Sequence, residues 1–462
     1  MPRPPIVLLF LDQLRADAIG AAGNDYVRTP HIDALAAESV RFDACITNAP
    51  LCRPARICLL TGQPVSVHRF DDNQRVPRPG SAPSHVADLR DAGYRTLVIG
   101  KTHLHAGVGH LDRHKDRLEA WGYLDAVELP DAQQFQLRSA HSDWLTATTP
   151  RGETDKHLRW KDHLANHHPG ADPPDAAPWH LGTEDHLDSF CARRAAETLR
   201  TDPGDRPLYL QVCFPGPHPP FDPTTEHMPG PGRPGLPAPI SGPRKGPIAV
   251  TEQRYRRAQR RWTAEDIARS RRSYFGKVAL VDQGIGRVLA ALEETHLDEQ
   301  AWIILTADHG ELLGDHGFHG KVLPFESSIR IPLLIRPPGG TIARVDYGVT
   351  DLLDVVATVR AIAGIDMQGR WGSSLVDRVL APPSGALGRP PPHRSVVFAN
   401  LGYVGLRTPE LTMTWDARTG RPHELFDRTD DPHQLDNRAG DPRYQDQLRA
   451  GWAAVTDERL RQ

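Results

Sequence analysis

Four short apolar runs constrain the fold of this chain more than any other feature of its sequence. Each run is continuous and of strand length, and stretches with helical character separate them; they cover residues 6–11, 96–99, 208–214 and 302–306. Continuous apolar runs of this length are typical of strands that are buried on both faces of a parallel sheet. The sequence therefore predicts an α/β fold.

Each run leads within a few residues into polar side chains that can bind metals or anions. In a parallel sheet the carboxyl ends of the strands meet at one edge, and ligands bind in the crevice outside that edge. We expect one site to gather the polar residues that follow the four runs: Asp12 and Gln13, Lys101 and His103, His218, and Asp308 and His309.

The composition excludes several classes of function. Hydrophobic residues make up 39% of the chain and charged residues 24%, and the net charge is only −3, so no basic surplus favours nucleic acid or membrane binding. The first apolar run has six residues, too few for a signal peptide or a membrane span, and it is needed as a strand. We therefore expect a cytoplasmic protein that binds neither nucleic acids nor membranes.

The cysteines separate into four ordinary ones and one that stands out. Five cysteines without regular spacing indicate reduced thiols rather than a disulfide framework. We expect Cys45, Cys58, Cys191 and Cys213 to be small buried hydrophobes. Cys52 differs because it opens the segment Cys52-Arg53-Pro54-Ala55-Arg56, which precedes an apolar run ending in Thr-Gly.

This segment resembles the Cys-x-Pro-x-Arg signature of the sulfatase family. The resemblance implies that a formylglycine-generating enzyme oxidises Cys52 to formylglycine, whose hydrate attacks the sulfur of a sulfate ester. Ala55 stands where the commonest form of the signature has serine, at a position that the pattern usually leaves open.

Four further motifs follow in the order of that family. Residues 12–17 (Asp-Gln-Leu-Arg-Ala-Asp) are similar to the opening motif of the branch with choline sulfatases and phosphonate monoester hydrolases, and residues 100–103 (Gly-Lys-Thr-His) resemble Gly-Lys-x-His. Residues 306–321 resemble the late metal and lysine motif, and residues 424–432 resemble a closing Glu-Leu-Tyr-Asp…Asp-Pro stretch. The resemblance therefore spans nearly the whole chain.

The family resemblance implies an alkaline-phosphatase-like fold with two parts. We expect a catalytic domain over residues 1–375, with a mixed, mainly parallel sheet flanked by helices, and a small α+β domain over residues 376–462. Residues 395–400 and 411–415 read as strands of the second domain, and residues 444–460 as an amphipathic helix. Residues 264–294 also have a helical rhythm.

The resemblance assigns a role to each candidate residue. Sulfate ester hydrolysis needs a strong nucleophile, cations on the developing anion and an acid for the leaving oxygen. Formylglycine derived from Cys52 would be the nucleophile. The other implied catalytic residues are Arg56 and Lys101 as cations near it, His103 as the base for its second hydroxyl, and Lys321 and His218 on the sulfate oxygens, one of them protonating the departing alcohol.

One divalent metal is implied as well. Its expected ligands are Asp12, Gln13, Asp308, His309 and the modified Cys52. Carboxylate and amide oxygens favour hard cations, whereas the imidazole also suits Mn²⁺. We therefore expect Ca²⁺ first and Mn²⁺ second.

The sequence leaves the substrate open among several classes. A small-molecule sulfate ester is the first expectation; a phosphonate monoester or phosphodiester, hydrolysed by the same residues, is the alternative. A third hypothesis is a non-catalytic protein that binds sulfated ligands and keeps Cys52 unmodified. The oligomeric state, including a homo-oligomer, is also left open.

Two weakly periodic segments are candidates for lids over the site. Residues 105–180 and 227–247 lie between the motifs and are long enough to cover a catalytic edge. Trp121, Trp144, Trp160 and Trp179 could supply an aromatic cage for a quaternary ammonium group. Asn73 is similar to a substrate contact of some relatives.

Overall fold

A computed structural model describes residues 3–460 apart from 106, 132, 133, 135, 168–177, 231, 259–261, 367–370 and 383–393. The strands are β1 (Ile6–Asp12), β2 (Val40–Phe42), β3 (Cys45–Ile46), β4 (Arg95–Gly100), β5 (Asp125–Glu128), β6 (Leu208–Pro217), β7 (Trp302–Ala307), β8 (Arg330–Ile331), β9 (Leu333–Arg336), β10 (Arg344–Asp346), β11 (Thr350–Asp351), β12 (Val396–Asn400), β13 (Tyr403–Arg407), β14 (Leu411–Asp416) and β15 (Pro422–Asp427). The α-helices are α1 (Pro30–Ala37), α2 (Cys52–Thr61), α3 (Val65–His68), α4 (His85–Asp91), α5 (Lys115–Ala120), α6 (Ala140–Ala147), α7 (Lys156–His167), α8 (Leu187–Arg200), α9 (Val250–Ala258), α10 (Ala264–Glu294), α11 (Glu326–Ile329), α12 (Leu352–Ile362), α13 (Val376–Leu380) and α14 (Gln445–Leu460).

The largest sheet has eight strands in the order β10-β2-β9-β7-β1-β6-β4-β5. The four apolar runs of the sequence form β7, β1, β6 and β4, which are neighbours in this order. All pairs from β7 to β5 are parallel, and β9 runs antiparallel to β7 and to β2. The predicted mixed, mainly parallel sheet is therefore confirmed.

Helices cover the sheet and explain why its strands are apolar throughout. Every residue of β1, β6 and β7 is buried. Helices α8 and α10 pack against each other and against β6, and α12 packs against α2 and α4. The helix expected over residues 264–294 is α10, which begins with a capping box formed by Thr263 and Asp266. None of the helices in the described part of the chain is both long and apolar enough to cross a membrane.

Strands β12–β15 form a separate antiparallel sheet near the end of the chain. Helix α14 packs on β13 and β14, around a core that includes Met413, Trp415, Leu448 and Val455. The sequence predicted β12, β14 and α14 but not β13 or β15. The division into residues 1–375 and 376–462 stays a prediction, and α13 shares the main core through Val379.

The interpretation of residues 105–180 as a loop is wrong for its described part, while its role as a lid stays a prediction. This segment contains α5, α6, α7 and the strand β5, which completes one edge of the main sheet. Trp144, Trp160 and Trp179 pack in one cluster, and Trp160 and Trp179 are almost fully buried there. Trp121 is 1% exposed in the main core. Trp121, Trp160 and Trp179 are therefore core residues, whereas Trp144 is only partly buried and has the guanidinium carbon of Arg193 3.9 Å from its ring centroid. Because Trp121 lies in a different cluster from the other three, the four indoles do not form one cage.

Candidate active site

Four parallel strands bring their terminal polar residues to one edge of the main sheet. Asp12 ends β1, Lys101 directly follows β4, His218 directly follows β6, and Asp308 directly follows β7. Because these strands are neighbours and run in the same direction, their carboxyl ends lie side by side. All four side chains are buried.

Cys52 reaches this edge from the first position of helix α2. The residue before it, Leu51, has an extended backbone and starts the helix, so the thiol lies at the positive end of the helix dipole. Its Sγ is 3.1 Å from His309 Nε2 and 4.0 Å from Asp12 Oδ1, and the residue is 1% exposed. Arg56 lies one turn further along the same helix and faces the same site.

Four buried donors form a candidate metal centre, which we call the four-donor cluster. One ligand atom from each residue lies within 4.8 Å of all the others; the residues are Asp12, Cys52, Asp308 and His309. Burial lowers the pKa of His309, although Asp308 acts in the opposite direction, so the imidazole is neutral and able to bind a metal. Two carboxylates and one imidazole suit a hard or borderline divalent cation.

Gln13 lies beside this cluster with a left-handed backbone at φ 70°. Its side-chain oxygen accepts a hydrogen bond from Lys321, and its amide nitrogen donates to Glu311. Its backbone N–H donates to Asp308 Oδ1 at 2.9 Å. Gln13 therefore orients Asp308 and holds Lys321 at the site. Its role as a metal ligand stays a prediction.

Arg56 and Lys101 balance the negative charge of the cluster. Arg56 Nη2 lies 3.0 Å from Asp12 Oδ2, and Arg56 Nε donates to Asp308 Oδ2 at 3.0 Å. Lys101 Nζ lies 2.5 Å from the same Asp12 oxygen. Burial by itself raises the pKa of Asp12, but Lys101, His218, Arg56 and Lys321 together lower it well below its usual range. Asp12 is therefore an anion in the folded protein.

His103 lies beside this group as a neutral buried imidazole. Its backbone has φ 61°, and its Nδ1 has no hydrogen-bond partner among the described residues. Burial lowers its pKa well below the usual value, and the positive charges of Lys101 and Arg53 lower it further. A neutral imidazole with an unused nitrogen is suited to accept a proton.

His218 and Lys321 both lie near enough to Asp12 to lower the pKa of its carboxyl. His218 Nδ1 is 2.8 Å from the backbone oxygen of Pro219 and 3.5 Å from Asp131 Oδ1. Lys321 is the more exposed of the two, and its ammonium donates to the neutral amide of Gln13. Lys321 has no carboxylate within 4.0 Å among the residues that the structure describes.

Asp131 is a residue of this site that the sequence did not predict. It follows β5, the edge strand that was read as part of a lid, and Asp131 Oδ2 lies 2.6 Å from Lys101 Nζ. Burial raises the pKa of Asp131, but His218 and Lys101 lower it more strongly, so it is ionised. Recognition of β5 would have placed Asp131 at the same edge as the other polar residues.

Asn73 occupies a supporting position near the nucleophile. Its Oδ1 accepts a hydrogen bond from the backbone nitrogen of Arg53 at 3.0 Å, in the first turn of α2. The Arg53 guanidinium donates to the backbone oxygens of Asn73, His103 and His105. Asn73 thus ties the helix start to the segment that carries His103, and contact with a substrate stays a prediction.

The five cysteines are all buried and free of disulfides. Burial raises the pKa of Cys45, Cys58, Cys191 and Cys213 above the usual thiol value. The expectation that these four are small buried hydrophobes is therefore consistent with the structure.

Comparisons with known proteins agree with the architecture and the motifs. The model of the Sulfatase family matches residues 4–365. An arylsulfatase of Clostridium perfringens is 26% identical over 382 residues, covering 79% of this chain and 76% of that protein. A choline-sulfatase of Rhizobium meliloti is 28% identical over 385 residues, covering 79% and 69%.

Solved structures give the same answer for the fold. The phosphonate monoester hydrolase SpPMH from Silicibacter pomeroyi superposes with a TM-score of 0.78 at 24% identity. The match covers 99% of this chain and 95% of the SpPMH chain. The phosphonate monoester hydrolase of Agrobacterium radiobacter gives 0.75 at 23% identity, with the same coverages. The alkaline-phosphatase-like fold is thus confirmed, and since the family match covers most of the chain, the protein belongs to the sulfatase family.

Proposed function

We propose that this protein hydrolyses a sulfate monoester to an alcohol and sulfate, with formylglycine made from Cys52 as its nucleophile. The observation that carries the proposal is the position of Cys52 Sγ within the four-donor cluster, 3.1 Å from His309 Nε2, with Arg56 of the same Cys-x-Pro-x-Arg segment paired to Asp12 and Asp308. The names of the arylsulfatase and choline-sulfatase relatives support the same reaction. The hydrated aldehyde supplies an attacking hydroxyl and a second hydroxyl that allows sulfate to leave.

The four-donor cluster fits one divalent metal. Two carboxylates and a neutral imidazole lie close enough together to share an ion, with Ca²⁺ first and Mn²⁺ second in our expectation. A bound divalent cation supplies positive charge that makes a neighbouring hydroxyl more acidic. Asp12, Asp308 and His309 would hold it, and Gln13 would add an amide oxygen.

The remaining residues would bind the sulfate group and transfer the protons of the reaction. Lys321 is partly buried and has no carboxylate partner among the described residues, which suits its ammonium to bind sulfate oxygens. His218 would give a proton to the departing alcohol. His103, whose pKa is lowered and whose Nδ1 is unpaired within the described structure, would accept the proton from the second hydroxyl. Arg56 and Lys101 would keep Asp12 and Asp308 in place.

The maturation partner must act before this part of the chain folds. Cys52, Arg53, Pro54 and Arg56 are all buried in the folded protein, so a formylglycine-generating enzyme has access to the segment only in the unfolded or nascent chain. We propose a cytoplasmic location for this step.

The first test is the mass of the proteolytic peptide that contains position 52, taken from protein made in its native host. We expect a deficit that matches replacement of the CH₂SH group by an aldehyde. Cys52→Ala should abolish turnover of 4-nitrophenyl sulfate, whereas Cys58→Ala, six residues further along the sequence and paired with His68, should keep it. An intact thiol together with ligand binding that survives Cys52→Ala would support a non-catalytic binder of sulfated ligands instead.

The phosphonate monoester or phosphodiester alternative is tested on the same preparation. One relative, PehA of Trinickia caryophylli, carries the name multifunctional alkaline phosphatase superfamily protein and is 29% identical over 389 residues. We expect kcat/KM for 4-nitrophenyl sulfate to exceed that for 4-nitrophenyl phenylphosphonate. A clear preference for the phosphonate would replace sulfate as the proposed substrate class. Removal of metal with EDTA should abolish activity, and Ca²⁺ should restore more of it than Mn²⁺.

A further inference from the structure

Glu311 is a buried carboxyl that connects the loop carrying Lys321 with the residue that follows β1. The side chain is 1% exposed. Its Oε1 accepts hydrogen bonds from the backbone nitrogen of Leu313 at 2.9 Å and from that of Gly320, directly before Lys321, at 2.5 Å. Its Oε2 accepts a hydrogen bond from the side-chain nitrogen of Gln13. Glu311 therefore contacts both the backbone next to Lys321 and the amide that faces its ammonium.

The side-chain amide of Gln13 lies between the Lys321 ammonium and the Glu311 carboxyl. An ammonium has three donors and no acceptor, so the atom of Gln13 that faces Lys321 has to be the oxygen. The amide nitrogen then faces Glu311, whose oxygen accepts its hydrogen. A reversed amide would direct its N–H groups at the ammonium and its oxygen at another oxygen. The two neighbours therefore define one orientation of the Gln13 amide.

The backbone of Gln13 is held by other residues, which leaves its side-chain amide for Glu311 to orient. The backbone N–H donates to Asp308 Oδ1 at 2.9 Å, and the carbonyl oxygen accepts from the hydroxyl of Tyr274 at 2.9 Å. Both partners are buried. We therefore expect a change at position 311 to turn the Gln13 amide and to leave its backbone in place.

Glu311 also explains why an amide suits position 13 better than a carboxylate. Burial raises the pKa of Glu311, whereas the hydrogen bonds from Leu313, Gly320 and Gln13 and the charge of Lys321 favour its ionised form. A carboxylate at position 13 would face an oxygen of Glu311 with no hydrogen between them. Two adjacent buried carboxylates repel each other, whereas an amide supplies the missing hydrogen.

We propose, on the basis of the proposed sulfatase function, that Glu311 is a positioning residue that keeps the amide oxygen of Gln13 turned toward Lys321. That oxygen holds the ammonium by a neutral contact and leaves its charge available to the sulfate group. Glu311 acts through Gln13 and through the backbone of Gly320, and it takes no part in the transfer of bonds or protons.

The test exchanges the amide and the carboxylate between positions 13 and 311. Glu311→Gln keeps an oxygen for Leu313 and Gly320 but turns an NH₂ group toward Gln13, which then has to present its own NH₂ group to Lys321. Gln13→Glu places two carboxylates against each other. We expect each single substitution to lower kcat/KM for 4-nitrophenyl sulfate by about tenfold to a hundredfold.

The double variant Gln13→Glu/Glu311→Gln restores the hydrogen-bond pattern in reverse. The carboxylate at position 13 then accepts from the amide at position 311 and from Lys321. We expect its kcat/KM to be at least about tenfold higher than the value obtained when the two single losses multiply. Inhibition by inorganic sulfate, which reports on anion binding without a chemical step, should weaken in each single variant and recover in the double variant.

Two controls separate the positioning of Lys321 from a purely structural role. In a Lys321→Met background, Glu311→Gln should cause little further loss, because the ammonium that requires the amide oxygen is gone. Glu424→Gln makes the same change at another buried glutamate, which accepts a hydrogen bond from Thr414, and should leave the kinetics unchanged. If Glu311→Gln does not fold, adding it to Gln13→Glu still tests the proposal, since the second substitution should then raise kcat/KM.

The outcomes distinguish this role from the proposed function. Single losses that multiply in the double variant, or a loss that persists unchanged in the Lys321→Met background, would overturn the role of Glu311 and leave the proposed function intact. A matured wild-type protein that acts on no sulfate or phosphonate ester would overturn the proposed function. The orientation of Gln13 would then still be tested by urea unfolding of the same variants, in which the double variant should again be more stable than the two single losses add up to.

Discussion

Lys101 and Lys321 serve the same site but are held by different regions of the molecule. Lys101 directly follows β4, and its backbone nitrogen still donates to Cys213 on the neighbouring strand at 2.9 Å. Its ammonium lies between two carboxylates, Asp12 at 2.5 Å and Asp131 at 2.6 Å, and is 1% exposed. The main sheet and two ion pairs therefore fix this cation.

Lys321 lies in the loop that follows β7, and the C-terminal sheet supports it. The next residue, Val322, has φ 89°, a left-handed conformation that a β-branched residue rarely adopts. Its nitrogen donates to Pro50 at 3.0 Å, and its carbonyl accepts from Tyr403 Oη on β13 at 2.6 Å. Further along, Glu326 pairs with Arg407 of the same strand at 2.7 Å.

The difference separates a structural cation from an available one. The charge of Lys101 is compensated by buried carboxylates, whereas Lys321 contacts a neutral amide and can meet an incoming anion. The C-terminal sheet, although distant from the sheet edge in sequence, sets the backbone next to Lys321. Strain of about 1–3 kcal/mol at Val322 is maintained by contacts from that sheet.

Substitution of the two lysines by methionine gives the largest expected effect. Lys101→Met leaves Asp12 and Asp131 without their shared cation, so we expect a loss of about 3–5 kcal/mol in the free energy of unfolding as well as a loss of activity. Lys321→Met should lower kcat/KM by about 10²–10³-fold with little change in stability. Urea unfolding and steady-state kinetics measure both quantities, and equal destabilisation by the two substitutions would contradict the comparison.

The pH dependence of stability should also differ between the two regions. Burial raises the pKa of Glu424 in β15 to about 7; Thr414 donates to one oxygen at 2.8 Å, and the other has no partner among the described residues. In the unfolded chain the pKa of a glutamate is near 4, so the folded state gains the full stability of protonated Glu424 only below that pH. This stability is lost as the pH rises to about 7, because the buried carboxyl then has to ionise. Asp12 and Asp131 at the site have lowered pKa values, so the stability that they contribute is lost only at pH values below that range.

Glu424→Gln removes this titration, so it should raise the free energy of unfolding at pH 8 relative to pH 5 by about 2 kcal/mol. Urea unfolding at the two pH values measures the change. The exposed Glu410 provides a matched control, since Glu410→Gln should change the free energy of unfolding by the same small amount at pH 5 and at pH 8. An identical effect of Glu424→Gln at pH 5 and pH 8 would show that the carboxyl does not titrate there.

The smallest expected effect comes from Tyr403→Phe. The ring keeps its packing against Phe398, while the hydrogen bond to Val322 is lost, so kcat/KM should fall by about threefold to tenfold for a hydrogen bond of about 1 kcal/mol. In a Lys321→Met background no further loss is expected. Tyr444→Phe, which removes a hydroxyl bonded to Asp427 and Arg438 in the same sheet region, should leave the kinetics unchanged. A loss that is independent of Lys321 would mean that Tyr403 supports something other than this lysine.

Much of the site was predictable because its residues directly follow apolar strands. Asp12, Lys101, His218 and Asp308 are each adjacent in sequence to the end of a strand, so local pattern and the topology of a parallel sheet suffice to bring them together. Cys52 and Arg56 were predictable from a short motif on one helix. Asp131 was missed because β5 has only four residues, two of them acidic, and does not read as an apolar run.

The tryptophans are an example of a feature that the sequence could not predict. Their sequence positions fitted a surface cage as well as a core, and only packing in three dimensions buries Trp160 and Trp179 against each other. Likewise, no local pattern links Tyr403 to Val322, because that contact depends on how the antiparallel sheet packs on the late loop.

The sequence by itself determined the parallel sheet, the edge at which the polar residues meet, and the nucleophile segment, because strand periodicity and short motifs are local properties of a chain. Tertiary structure alone decided how the charges are paired: Lys101 between Asp12 and Asp131, His218 against Asp131, and Lys321 beside a neutral amide. These pairings depend on distances between segments far apart in the chain, and electrostatic energies in a buried site depend on those distances.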